Sequence, residues 1–263
     1  MSAALIVTLA LLGAGGGFLA GLLGLGGGVL MFPLLYYVPP LLGLGRLDAQ
    51  MVAAVVVSQV FFSALVGGIA HSHSGRVHRR LVIVAGTVSA VGAFGGAVAS
   101  KWTSEQFLLL LFGIVMILVI LMTFLPGPTA EQEGGPVETL LVPTVPLTLA
   151  AFVVGVIVGF LGAGNFVFVP LLIYVLKVPT RVAIGSNLFI AVMSTATGFI
   201  GKLVTGQIPL LIAAVVVCGS GVGALIGEKV HRRLSTKVLR FIYSFVLVLI
   251  AVRVWITIFR LDD

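Results

Sequence analysis

Charge is what this chain lacks most. Only 9% of its 263 residues are Asp, Glu, Lys or Arg, where soluble domains carry about 25%. Hydrophobic residues make up 60%, and the mean hydropathy is +1.27. A soluble fold this apolar would leave large adhesive patches on its surface, so a soluble protein is excluded. Cysteine is nearly missing too. Cys218 stands alone, which excludes an intrachain disulfide framework and a multi-cysteine zinc site. Set among Val216, Val217 and Gly219, it is expected to be a small buried helix residue. Carboxylates are absent from the middle of every apolar stretch, with Asp48, Glu105 and Glu228 near the ends. This leaves no carboxylate proton relay or sodium cage and favours an anionic or neutral ligand. No histidine lies inside a span, and no Asp–His or Glu–Glu pair is available for catalysis. His71, His73 and His78 sit beside Arg76, Arg79 and Arg80, a cationic setting that disfavours a metal ion. No catalytic residue, metal or cofactor is expected.

What the chain does have is length in its apolar runs. Phe107–Phe124 and Phe241–Phe259 each reach the ~18 residues needed to cross a bilayer. The expected class is all-α, a polytopic membrane protein. Helices are expected over Leu5–Leu23, Val29–Val38, Ala49–Ile69, Leu81–Ala99 and Phe107–Phe124. In the second half they are expected over Leu147–Leu161, Phe166–Leu176, Val182–Val204, Leu210–Ile226 and Val238–Phe259. Residues 1–125 form a first transmembrane repeat, 126–145 a polar linker rich in Pro, Gly and Glu, and 146–263 a second repeat. Residues 3–12 are apolar without a basic segment before them, so no cleavable signal peptide is read. The formal charge of +7 sits mainly in short loops. There it reads as a topology signal and as contact with membrane lipid, and no nucleic-acid partner is expected.

The two halves say nearly the same thing. Gly24-Leu25-Gly26-Gly27-Gly28 runs on to Pro33-Leu34-Leu35, and Gly162-Ala163-Gly164-Asn165 runs on to Pro170-Leu171-Leu172. Downstream, Gly67 and Gly198, Gly75 and Gly206, Gly92 and Gly223, and Gly96 and Gly227 are each 131 positions apart. Four pairs at one offset, after matching break motifs, indicate duplication. The basic loops are displaced between the copies. Arg76, Arg79 and Arg80 occupy one loop of the first half, whereas its equivalent around Gly206-Gln207-Ile208-Pro209 is uncharged. Lys229, Arg232, Arg233 and Lys237 come one loop later. Cytoplasmic loops carry excess Lys and Arg, so equivalent loops fall on opposite sides. The expectation is two inverted-topology repeats, each a glycine-broken segment plus three transmembrane helices, with both termini outside.

Broken apolar segments at matching places in two halves point to a transport site. A break frees backbone N–H groups at the start of the next half-helix, and these attract anions. Glycine lets a ligand come close to the backbone. Candidate substrate-binding residues are therefore Gly26, Gly27 and Gly28 in the first half, and Gly164 and Asn165 in the second. Gln59, Ser186 and Asn187 join them as polar side chains on the spans that follow, because polar groups at this depth need partners. Ser58, Ser63, Ser194 and Thr195 are expected to bond within or between helices. The spaced glycines Gly17/Gly21, Gly155/Gly159, Gly92/Gly96 and Gly219/Gly223/Gly227 read as close helix packing. Lys202, late in its span, is expected to snorkel to the interface.

The two glycine–proline motifs resemble those of the sulfite exporter TauE/SafE family, also called the toluene sulfonate uptake permease group. The similarity covers essentially the whole chain. It implies an inner-membrane carrier for sulfur-containing anions such as sulfite or organosulfonates. The second motif departs from the family pattern: Asn165 replaces part of the glycine run, and its proline comes one residue sooner. The resemblance implies export of a small oxyanion by alternating access. Uptake of an organosulfonate is the alternative, ahead of an intramembrane enzyme or a structural subunit. Oligomeric state is left open.

Overall fold

The computed structural model describes residues 2–23, 28–71, 77–122, 125, 143–231 and 251–257. The described residues are almost all helical, and no strand occurs among them. The first half holds α1 (Ala3–Leu23), α2 (Gly28–Leu41), α3 (Ala49–His71), α4 (Arg79–Ala99) and α5 (Glu105–Met122). A 3-10 turn, Ser100–Trp102, extends α4. The second half holds α6 (Thr144–Leu161), α7 (Asn165–Pro170) with a π-turn over Leu171–Val175, α8 (Thr180–Val204) and α9 (Leu210–His231). Residues 251–257 are again helical. Arg79–Trp102, Glu105–Met122, Thr144–Leu161, Val182–Val204 and Leu210–Gly227 are each long and apolar enough to cross a membrane.

Local chemistry sets the ends. His78 caps α4, its Nδ1 accepting the Leu81 N–H at 3.1 Å, which satisfies one donor the first turn leaves free. Pro143 precedes α6, and Pro146 sits in its first turn, where a missing N–H costs nothing. Gly162 closes α6 with φ 70°, its N–H bonded to the Val158 carbonyl at 2.8 Å, the left-handed stop that glycine takes without strain. The first broken segment runs further than the sequence suggests. Expected to stop at Val38, α2 continues through Pro39 and Pro40 to Leu41, and the Leu42 N–H still reaches the Val38 carbonyl at 3.2 Å. Proline's fixed φ suits a helix even though it donates nothing.

The second broken segment is wound differently. Six residues of α-helix end at Pro170, and the chain then widens, with the Leu176 N–H bonded to the Leu171 carbonyl at 3.0 Å. Insertions of this kind are frequent at functional sites.

Small residues decide the packing. Gly13 and Gly17 of α1 lie against the Val216 and Ser220 backbone of α9, and Gly219 and Gly223 lie against Ala10 and Ala14. In the same way, Gly92 and Gly96 of α4 lie against Phe152 and Val156 of α6, and Gly155 and Gly159 against Ser89 and Ala93. A Cβ at any of these would collide with main-chain atoms, so the spacing read as close packing does that work. The contacts advance together along each pair, so α1 runs parallel to α9 and α4 parallel to α6. Against α8, Gly86 meets Met193, Ala90 accepts from Thr197 and Ser100 accepts from Lys202, so α4 and α8 also run in the same direction. The middle of α3, Val52–Val57, is wholly buried between these pairs.

One expectation fails outright. Cys218 is exposed. On α9 it shares an outward stripe with Leu211, Ala214, Val222 and Leu225, while Ala213, Val216 and Ser220 face inward. In a bilayer an apolar thiol on that face meets lipid rather than water, so its position is not penalised.

Candidate functional site

The two glycine breaks meet. Gly28, the first residue of α2, is buried, and a Cβ there would fall 2.8 Å from Ala163 Cβ and 2.8 Å from Val60 Cγ2. Ala163 belongs to the second break, and Val60 neighbours Gln59 on α3. Gly162 is pressed on α3 as well, against the Ala53 carbonyl and the Val57 N–H, and Gly164 sits under Val158. The break regions of both halves thus share one place with the middle of α3. Gly26 and Gly27 lie outside the described residues.

Two polar clusters flank this place. In one, Gln59 Nε2 donates to Ser220 Oγ at 2.8 Å and to Ser63 Oγ at 3.2 Å, and the two hydroxyls lie 3.1 Å apart. Gln59 is completely buried, and its Oε1 has no partner. Both of its partners are hydroxyls, able to donate or accept. Turning the amide over would put Oε1 on the serines and free both N–H groups. In the other cluster, Asn165 Oδ1 accepts from Ser194 Oγ at 3.2 Å, and Asn187 Nδ2 donates to the Asn165 carbonyl at 3.4 Å. Asn165 Nδ2 and Asn187 Oδ1 are buried without partners. An unpaired buried polar atom costs about 1–3 kcal/mol, and three such amide atoms around one place mark a site that a ligand or water would complete.

The sequence placed these residues unevenly. Gln59, Asn165 and Asn187 point into clusters beside the breaks. Ser186 does not: fully buried, it accepts the His78 N–H at 3.1 Å and ties the approach to α4 to the first turns of α8. Ser58 and Thr195 bond back to Ala54 and Ala191, as expected of hydroxyls in helices. The backbone donors of the second break are fewer than expected, because α7 is only six residues long and the Val167 N–H is taken by the Gly164 carbonyl. Side-chain amides stand there instead. Ser220 was missed. Its signal was present: Ser63 and Ser194, and likewise Ser89 and Ser220, keep the 131-position offset, while Gly28 and Asn165 keep the offset of the two prolines.

Lys202 departs from expectation. Instead of snorkelling it is 0% exposed, held by Ser100 Oγ at 2.7 Å and Gln207 Oε1 at 3.2 Å. Snorkelling needs a free path to water, and the α4 end and the Gly206 turn close that path.

Outside this region, Arg46 ties the loop after α2 to the start of α5. It donates to the Tyr36 hydroxyl at 3.0 Å and to Glu105 at 2.9 Å, and those contacts, the hydroxyl first, hold the guanidinium above its ordinary range. A cavity of about 500 Å³ opens between α1, α2 and residues 252–256. Its lining is apolar apart from Tyr37 and Arg253, and none of the candidate residues borders it.

Comparison with known proteins follows the same lines. The family described as sulfite exporter TauE/SafE matches residues 9–254. A probable membrane transporter protein of Xylella fastidiosa (strain Temecula1) is 31% identical over 95% of this chain and 94% of its own. The counterpart from strain 9a5c is 32% identical with the same coverage. The probable membrane transporter protein YunE of Bacillus subtilis is 27% identical over 93% of this chain and 95% of its own. No solved structure matches.

Proposed function

Since the chain belongs to the sulfite exporter TauE/SafE family, and so is a multi-pass membrane transporter rather than an enzyme, we propose that it exports a small sulfur-containing oxyanion. Sulfite or an organosulfonate is the cargo, the bacterial inner membrane is the place, and alternating access between two inverted halves is the mechanism. The observation that carries this reading is the meeting of the two breaks at Gly28 and Ala163, flanked by buried amides with unused hydrogen-bonding atoms. Asn165 Nδ2 offers a neutral donor, the Gln59 amide offers two more once it is turned over onto its serines, and no carboxylate stands among the buried polar residues described to repel an anion.

Support for inversion comes from helix direction. Adjacent spans α3 and α4, joined by the short connection 72–78, cross in opposite senses. Its counterpart in the second half, α8, runs with α4 and therefore against α3. The seams match as well: α1 lies on α9 as α6 lies on α4, each pairing the first helix of one half with the fourth helix of the other. Rocking one half against the other would then open Gly28 and Asn165 to each side in turn.

The test is flux of labelled sulfite and small sulfonates in proteoliposomes, beside a thermal-shift screen of sulfite, sulfate, thiosulfate, sulfoacetate and taurine. Saturable flux with protection by one or more anions supports the reading. No flux and no protection by any of them would sink it.

A further inference from the structure

Among the described residues, Lys202 is the one charged side chain that is fully buried. Its neighbours hold it without neutralising it. Both acceptors, Ser100 Oγ and Gln207 Oε1, are uncharged, and an ammonium has three N–H donors to place. Gln207 is pinned, its Nε2 donating to the Ala97 carbonyl at 2.8 Å and to Thr205 Oγ1 at 2.7 Å, so Oε1 keeps facing the lysine. Charged groups on the surrounding elements are occupied elsewhere. Lys101, next to Ser100, is exposed and lies 6.0 Å over the Trp102 ring. Asp48, ahead of α3, accepts the Met51 N–H at 2.6 Å, and Glu105, opening α5, pairs with Arg46. The carbonyl ends of α4 and α8 converge on the ammonium and offset part of its charge. That stabilises the protonated form against the cost of its burial.

Lys202 also lies on the helix that carries half of the candidate site. It follows Ser194 by two turns, about 12 Å along the axis of α8, and Ser194 is bonded to Asn165. Two unit charges ~12 Å apart, with an effective dielectric of ~20 between them, shift each other's equilibria by roughly tenfold. We propose that Lys202 makes this path select anions: in its protonated form it is a buried positive charge that raises oxyanion affinity at the Asn165–Asn187–Ser194 half-site in proportion to the oxyanion's charge. The inference rests on the transport reading and names the residue that sets its selectivity.

The experiment uses purified full-length protein at pH 6, where the lysine is protonated, and three probes at constant ionic strength: sulfate as a dianion, methanesulfonate as a monoanion and taurine as a zwitterion. Affinities come from thermal-shift titration of the unaltered protein, Lys202→Gln, Lys202→Arg and Gln207→Glu. Lys202→Gln should lose roughly tenfold for methanesulfonate, roughly a hundredfold for sulfate and little for taurine. Lys202→Arg should stay within about threefold for all three, because the charge remains. Gln207→Glu puts a carboxylate beside the ammonium, so it should reproduce the charge-graded loss while keeping the lysine and its packing. This arm stands even if Lys202→Gln does not fold. Equal loss for all probes in both neutralising variants, or no loss in either, overturns the assignment while leaving the transporter intact. Failure of the unaltered protein to bind these three or any compound of the sulfite and sulfonate screen removes the transport reading itself.

Discussion

At the scale of single residues, the site depends on amides that are buried and only partly satisfied. Asn187 Nδ2 carries two N–H donors, of which the bond to the Asn165 carbonyl uses one, whereas Ser194 has a single O–H with both Asn165 Oδ1 and the Ala191 carbonyl at 3.2 Å. Removing Asn187 therefore removes more from a bound ligand than removing Ser194 does. Asn187→Ala should weaken the most stabilising anion by about tenfold and Ser194→Ala by about threefold or less, in line with ~1 kcal/mol for a hydrogen bond. Anion titrations followed by melting temperature measure both, and equal losses would remove Asn187 as a ligand. Gly28 makes a different prediction. With Val60 and Ala163 already in contact with its missing Cβ, Gly28→Val should destabilise by about 1–3 kcal/mol and lower flux in proteoliposomes. Unchanged flux at equal reconstitution would show that close approach of the two breaks is not needed.

At the scale of elements, helix seams built on glycine carry the fold, and neighbouring glycines supply their own controls. Gly96 faces the Val156 carbonyl of α6, but Gly95 has nothing within 4 Å. Gly96→Ala should therefore lower the melting temperature, while Gly95→Ala should leave it level or raise it slightly, since alanine in a helix is worth about 0.5–1 kcal/mol over glycine. The same contrast holds on α9 between Gly223, against the Ala14 carbonyl, and Gly221, which faces open space. If both members of a pair behaved alike, the α4–α6 and α1–α9 seams would not be the close contacts described. The broken elements differ more than their sequences do. A long α2 follows the first break, and a short α7 with a π-turn follows the second. The two broken segments are therefore wound differently, and the second carries the side-chain amides of Asn165 and, through its carbonyl, Asn187.

At the scale of the whole molecule, direction across the membrane is the property to test. Parallel α4 and α8 put the Ser100–Lys202–Gln207 contacts at one face and the His78–Ser186 contact at the opposite face. The excess of Lys and Arg near it leads to the expectation that the second of these faces the cytoplasm. In a Cys218→Ser background, a membrane-impermeant thiol reagent added to intact cells should label Lys101→Cys and leave Arg79→Cys and Lys229→Cys unlabelled. Labelling of Lys229→Cys but not Arg79→Cys would place the two basic loops on different sides and break the inverted arrangement.

The sequence by itself determined the class, the span-forming segments among the described residues, the position of the second break and the 131-residue echo between halves. Each of these is a local property: apolar length, glycine and proline placement, or charge in a loop. It also pointed to Gln59, Asn165 and Asn187, because a bulky amide inside an apolar span announces itself. Which way each helix turns its side chains was decided only by tertiary structure. These spans are apolar all round, so no amphipathic stripe distinguishes an inner face from an outer one, and the choice falls to the partner that each seam admits. Packing of Gly17 against Ser220 turned that serine toward Gln59 and left Cys218 facing outward. Packing of α8 along α4 enclosed Lys202 instead of letting it reach water. The missing charge that classifies the chain thus leaves one buried cation, whose place depended on contacts between residues more than a hundred positions apart.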